Sequence, residues 1–358
     1  MLKFLIQRSF SGVLVLLGVV VVIFILLNII PVNAEQMSLG ENADEATVLA
    51  VKKKLRLNHS PGMRLWYYLS DLSPLSIQSH SDSEAPLYLD NGDYQYATVL
   101  KFASKSLVLK QPYFGRSFQS GKPVWEILSK KMLPTTILAL TAISLASIIG
   151  IALGLVAALN YGKFLDRGLV AFSVLGISIP SYFSALLLAI IFGYYLSSYT
   201  HLNITGPLID VSDIGEYFIN WRNLILPTIA LGIRPVAIIL QLTRNSMLDV
   251  LRADYVRTAK SKGLSNRVVI LKHALRNALN PVVTSITGWF AALLAGAFFV
   301  EYIFDFKGLG HETVHALTMF DFPLVMGAVL IIAASFVFVN ILVDILYSYL
   351  DPRIKIDG

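Results

Sequence analysis

The sequence predicts an all-α polytopic membrane protein with six transmembrane helices and an external insertion containing a β-hairpin. Three observations carry that class. The chain of 358 residues is 55% hydrophobic and only 15% charged, more apolar than a soluble core of this size requires. Six separate runs approach or exceed the roughly 20 apolar residues that a helix needs to cross a bilayer. Lys and Arg gather in one loop between two of these runs, while acids gather in others.

The first run, Val13 to Ile30, follows Lys3 and Arg8 and precedes Val32-Asn33-Ala34, like the charged end and cleavage site of a signal peptide. A signal h-region spans about 7 to 15 residues, and this run is longer, so residues 1–31 are read as a cytoplasmic start and a retained span. Residues 32–134 form an extracytoplasmic insertion too long to be a mere connector. Within it "PLYLDNGDYQYATVL" alternates apolar and polar residues around Asn91-Gly92, a strong hairpin signal. A membrane core over 135–350 holds the other runs: Ile137 to Leu159, Leu169 to Leu196, Leu224 to Leu242, Val282 to Val300 and Leu324 to Val343. Residues 351–358 are a short tail.

Sidedness follows from the loops. Residues 243–280 hold eight basic residues against Asp249 and Asp254, whereas 301–322 hold Glu301, Asp305, Glu312 and Asp321 against Lys307 alone. Basic residues in short loops mark the cytoplasm, so that loop and both termini are expected there. Asp344, at the cytoplasmic end of the sixth span, is expected to meet water or a nearby cation.

Several constellations could carry chemistry. The chain has no cysteine, which excludes disulfides and thiolate catalysis. "HETVH", with His311, Glu312 and His315, fits the zinc-protease spacing H-E-x-x-H, and Asp321 stands where a third ligand would fall. Thr318 stands where the long motif has Gly, so the preferred reading is no metal and a surface helix with Val314 and Leu317 inward and both His in water. "GRSFQSGKP", Gly115 to Pro123, is one residue too long for a phosphate-binding loop and has Pro where the hydroxyl residue belongs. No catalytic or nucleotide-binding motif remains, so the chain is not read as an enzyme. Arg234 beside Pro235 in the fourth span either lines a solute path or snorkels near the outer surface. Ser178 and Tyr182 flank Pro180 in the third span, suiting either a path or helix packing.

In the basic loop, Tyr255 and Ala259 share a helical face, Gly263 offers a break, and a second helix follows with Val268, Leu271 and Leu275 as its apolar stripe. Two short helices of this kind suit either a partner's groove or anionic lipid headgroups.

The stretch "RNSMLDVLRADYVRTAKSKGLSNRVVILKHALRNALNPVV", Arg244 to Val283, resembles the coupling loop of binding-protein-dependent ABC importer permeases of the dipeptide, oligopeptide and nickel type. "MLKFLIQRSF", "YFGRSFQSGKPV" and "NILVDILYSYLDPRIK" are similar to that family's start, its approach to the second span and its end. About residues 65–110 fall outside the pattern. The resemblance implies a type I importer architecture in a bacterial-type inner membrane, and a path for peptides or similar small solutes, nickel chelates included. It implies as partners a second homologous permease, two cytoplasmic ATPases that hold ATP and Mg, and an external solute-binding protein, with no cofactor of its own and no nucleic acid. Asp254, Tyr255, Arg257, Thr258, Ala259, Lys262, Gly263, His273, Arg276 and Pro281 stand at coupling positions. Arg257, Thr258 and Ala259 replace the general Glu-Ala-Ala, so no Glu at 257 can contact the ATPase. A membrane zinc metalloprotease and an ion-coupled transporter without ATPase are the rival classes.

Overall fold

The computed structural model describes residues 2–29, 56–80, 85, 87–89, 94–212 and 214–350. Ile30, Val32-Asn33-Ala34, the Asn91-Gly92 turn and the tail 351–358 lie outside these residues. The chain divides into two compact units, one built on Phe10–Lys131 and Glu312–Ala334, the other on Met132–His311 with residues up to Ser9 and from Ser335.

The first unit contains most of helix α1 (Leu2–Ile29), followed by α2 (Pro61–Leu72) and three strands, β1 (Leu75–Ser79), β2 (Tyr96–Lys101) and β3 (Lys105–Lys110). Pro61 suits the first turn of α2, where no intrahelical donor is needed. The strands form an antiparallel sheet ordered β1-β3-β2, so the hairpin the structure describes is β2–β3, turning at residues 102–104. The inward face of the sheet is mostly polar: Ser76, Gln78, Ser106 and Lys110 are buried beside Val108, while Leu75, Ile77 and Leu109 are exposed. Asp71 closes α2 onto the sheet by accepting hydrogen bonds from Arg56 (2.7 Å) and Tyr94 (2.9 Å), and its carbonyl accepts one from Lys110.

The second unit holds most of the helices that build the candidate sites, with Val124–Lys131 of the first of them in the first unit. Helix α3 (Val124–Leu159) is followed by α4 (Phe164–Ser178) and α5 (Ser181–Leu188), which continues as a π-helical stretch over Ala189–Tyr195. After the short α6 (Ser197–Thr200) and a small β4–β5 hairpin (Ile209–Val211, Tyr217–Ile219) comes the 30-residue α7 (Arg222–Leu251). The chain goes on through α8 (Asp254–Ser261), α9 (Asn266–Val268), a second π-helical stretch over Val269–Leu275, and α10 (Arg276–Gly296). Helices α11 (Phe298–Ile303), α12 (Leu309–Thr318) and α13 (Phe322–Leu350) complete the chain, with Glu312–Ala334 belonging to the first unit.

Among the described residues five helices are long and apolar enough to cross a membrane, and the predicted third span falls on a bent pair, α4 and the helix from Ser181 to Tyr195, which meet at 103°. The break falls at Pro180, inside the run read from Leu169 to Leu196. Pro180 has no N–H to donate and disfavours helical geometry at Ile179, which is extended (φ −79°, ψ 124°). Its carbonyl instead starts α5 by accepting from Phe183 and Ser184.

Helix α7 is the centre of this unit. Gly150 and Gly154 of α3 lie so close to it that an added Cβ would stand 2.7 Å from Ile239 and 2.6 Å from the Leu240 carbonyl. With Ala142, Ala146 and Ala158, all buried, they make a small residue at every fourth position, the pattern that lets membrane helices approach closely. Contacts advance in the same direction along both helices, from Ala142 near Gly232 to Gly154 near Thr243. Parallel α3 and α7 require one return crossing between them, and the α4–α5 pair is what the chain has for it.

Candidate coupling and pathway sites

At the end of α7, Ala253 is extended (φ −69°, ψ 147°) and opens α8, and Gly263 ends the turn with φ +77°, a left-handed conformation that favours glycine. Val256 and Ala259 are the buried face of α8. They pack with Met247 of α7, Ala158 of α3, and Val269, Ala274 and Ala278 beyond. Tyr255, one turn before Ala259, is exposed, and its hydroxyl accepts a hydrogen bond from Asn277 (3.0 Å).

The second stripe is also corrected. Val268 and Leu271 are exposed, Leu275 is partly buried, and Val269 and Ala274, five apart, face inward. A π-helical stretch has a longer turn than an α-helix, so an i, i+3, i+4 reading drifts out of phase there.

The other predicted coupling residues lie mostly on the outside. Asp254, Arg257, Thr258, Lys262, Gly263, Arg276 and Pro281 are exposed, and His273 is half-buried. Arg257 stands 3.7 Å from Asp254, and the Thr258 hydroxyl donates to the Asp254 carbonyl (3.0 Å). Arg244, counted in the sequence among the loop's basic charges, is bound to the fold: its guanidinium grips Asp166 through two hydrogen bonds of 2.6 and 2.8 Å. The Gly162 amide adds a third to that carboxylate (2.9 Å).

Of the pathway candidates, Ser178, Tyr182 and Arg234 are all exposed on the single chain. The Ser178 hydroxyl donates to Val174, Tyr182 meets the edge of Phe299 at 6.3 Å, and the Arg234 guanidinium lies 5.9 Å from the Trp289 ring centre. Among the described residues, no hydrogen bond or ring contact joins these three to one another.

The "HETVH" residues diverge. His311 is buried, contrary to expectation, with Nε2 2.8 Å from Asp305; His315 is exposed; and Glu312 pairs with Lys131 at 3.4 Å. Thr313 and Ala316 face inward in place of Val314 and Leu317. Burial raises the pKa of Asp305, and its contacts with Lys307 and His311 outweigh that, holding the carboxyl below its usual value. Among the described residues no three His, Asp or Glu side chains gather as a metal-binding set.

Two buried carboxylates passed unnoticed in the sequence as structural centres. Glu301, fully buried, accepts from the Thr135 hydroxyl (2.6 Å) and the His311 amide (3.0 Å), and Thr135 accepts in turn from the Leu309 amide (2.8 Å). Gly308 must be glycine here, since a Cβ would stand 2.4 Å from Thr135 Oγ1 and 2.5 Å from Glu301 Oε2. Asp321 accepts from the Ser117 hydroxyl and from the amides of Phe118 (3.0 Å) and Gln119 (3.4 Å). The "GRSFQSGKP" loop does wrap an anion with backbone donors, and the anion is the chain's own Asp321. Asp344 meets Arg8 at 3.0 Å, the nearby cation expected for it.

Comparison with known proteins gives the family. Residues 150–356 match the family model described as binding-protein-dependent transport system inner membrane component, and residues 1–89 match the corresponding N-terminal model. A dipeptide transport system permease protein, DppB, of Alkalihalophilus pseudofirmus is 32% identical over 99% of this chain and 100% of its own length. A glutathione transport system permease protein, GsiC, of Salmonella choleraesuis is 30% identical over 99% of each chain. A solved chain of an amino acid ABC transporter with histidines matches 64% of this chain and 94% of its own, with 17% identity and a TM-score of 0.42. Membership implies ATPase and solute-binding-protein partners. The chain belongs to the binding-protein-dependent transport system inner membrane component family, as a multi-pass permease subunit of a peptide-type ABC importer.

Proposed function

We propose that this chain forms one half of a path for peptides or peptide-like solutes, beside a second homologous permease, and is driven by two ATPases docked on α8. The observation that carries the reading is the packing of α8. Val256 and Ala259 are fixed to α7 and α3, while Tyr255, Arg257, Thr258 and Lys262 stay outside for a partner. A push on α8 would reach α7 as a rigid-body movement, since both share one apolar cluster. Positive-inside loops favour the cytoplasm for α8 and both termini. ATP and Mg belong to the ATPases in this reading, and no covalent step occurs here. The substrate class is supported by the relatives, whose names give a dipeptide and glutathione. Ser178, Tyr182 and Arg234 are the pathway residues of the proposal.

The test replaces Gly263 by Val and Arg257 by Glu in the reconstituted importer. Uptake is expected to fall about tenfold or more, the equivalent of losing roughly 1.4 kcal/mol of coupling, while ATP hydrolysis continues. Unchanged uptake in both variants would remove the coupling role.

A further inference from the structure

Arg234 falls near the middle of the apolar stretch of α7. It is ten residues beyond Leu224 and eight before Leu242, which at 1.5 Å per residue puts it about 15 Å and 12 Å from the two ends of the apolar stretch. Against a hydrocarbon core of roughly 30 Å, that is near the middle. Snorkelling to the outer surface is out of reach for a side chain at that depth. Leaving a guanidinium facing lipid there is costly, so its surroundings in the assembled transporter are polar or aqueous.

Local geometry prepares the group for a ligand. Among the described residues its guanidinium makes one contact, with the face of Trp289 at 5.9 Å. A ring at that distance orients a cation by its quadrupole and leaves the guanidinium's hydrogen-bond donors unused. One face of α7 continues from Arg234 through the apolar Ile238 to Gln241 and Asn245, at i, i+4, i+7 and i+11, so polar groups recur along it towards α8. Gln241 is tied to Ser173 (2.9 Å) and Asn245 to Arg244 (3.1 Å), which leaves Arg234 as the open charge of that face.

We infer that Arg234, seated on Trp289, is a mid-membrane binding site for the carboxylate of the transported solute. This rests on the pathway reading of the preceding subsection. A planar guanidinium matches a carboxylate through two parallel hydrogen bonds. It would receive the acidic end of a peptide halfway across, where water no longer solvates it. The other possible source of a carboxylate is an acid of the second permease, and the experiment separates the two.

The chain has no cysteine, so Ile238→Cys creates a unique thiol one turn from Arg234. In the assembled importer this thiol is treated with sulfonatoethyl methanethiosulfonate, an anion, and with the trimethylammonioethyl reagent, a cation. The anionic reagent is expected to react faster by about tenfold, the lower end of electrostatic focusing in a cleft, and Arg234→Gln is expected to abolish that preference. No labelling by either reagent, or a preference that survives Arg234→Gln, would overturn the inference. Loss of assembly in Arg234→Gln would also overturn it, by assigning the guanidinium to the second permease. Uptake of labelled dialanine gives the second arm. It should fall about tenfold in Arg234→Gln and be largely rescued in Arg234→Lys, with ATP hydrolysis retained; unchanged uptake in Arg234→Gln counts against the site. If wild type moves no dialanine, the peptide reading fails and the thiol arm still decides the anion site.

Discussion

At one end of the second unit, α8 is held by Val256, Ala259, Val269 and Ala274 against Met247 and Ala158; around Glu301, by contrast, the chain is held by hydrogen bonds to a fully buried carboxylate. Apolar contacts are non-directional and survive small slides. Hydrogen bonds to a buried polar group lose most of their value when geometry shifts, and the desolvated group then has nothing in exchange. The contrast teaches which part is built to move: the α8 end can be displaced as a body, and the Glu301 end is a fixed point for the span ends around it.

The largest effect should come from breaking the fixed point. Glu301→Ala strands the Thr135 hydroxyl and the His311 amide, and a loss of about 3 kcal/mol or more is expected, read as a lower melting temperature of the purified complex. Melting like wild type would mean this end is no anchor.

Asp166→Asn asks whether apolar contacts alone hold the α8 end, since Arg244 loses its carboxylate. Removing one partner from a mostly buried pair that keeps some solvent contact should cost about 2 kcal/mol, less than the buried-pair range. Gly263→Val, at φ +77°, should cost only about 1 to 2 kcal/mol of local stability, so its loss of uptake would report coupling and not unfolding. Tyr255→Phe removes one exposed hydrogen bond and should change stability by less than about 0.5 kcal/mol. A large drop there would show that the outer surface of α8 is also structural.

The same contrast explains what could be read from the chain alone. Span-length apolar runs, the proline break and the basic loop are local patterns, and all were legible. The Glu301 and Asp321 centres were not, because their partners lie 166 and 204 positions away in sequence. Glu301 reads locally as one more acid in an acidic loop, and Gly308 as a turn residue. The stripe after α8 was misjudged because of the π-helical turn, which no spacing rule for α-helices includes. His311 was expected in water because its partner Asp305 sits across a turn with positive φ at Asp305 and Lys307, a conformation that helical spacing cannot foresee. The Gly150–Gly154 spacing was available as a signal for close packing and was passed over.

The central claim is that the outer surface of α8 touches an ATPase. Thr258 is exposed there and the chain lacks cysteine, so Thr258→Cys carrying a photoactivatable thiol label reports its neighbour directly. In membranes containing the whole importer, the label is predicted to cross-link this chain to an ATPase subunit. Cross-linking to lipid alone, with the ATPases present and active, would contradict the account.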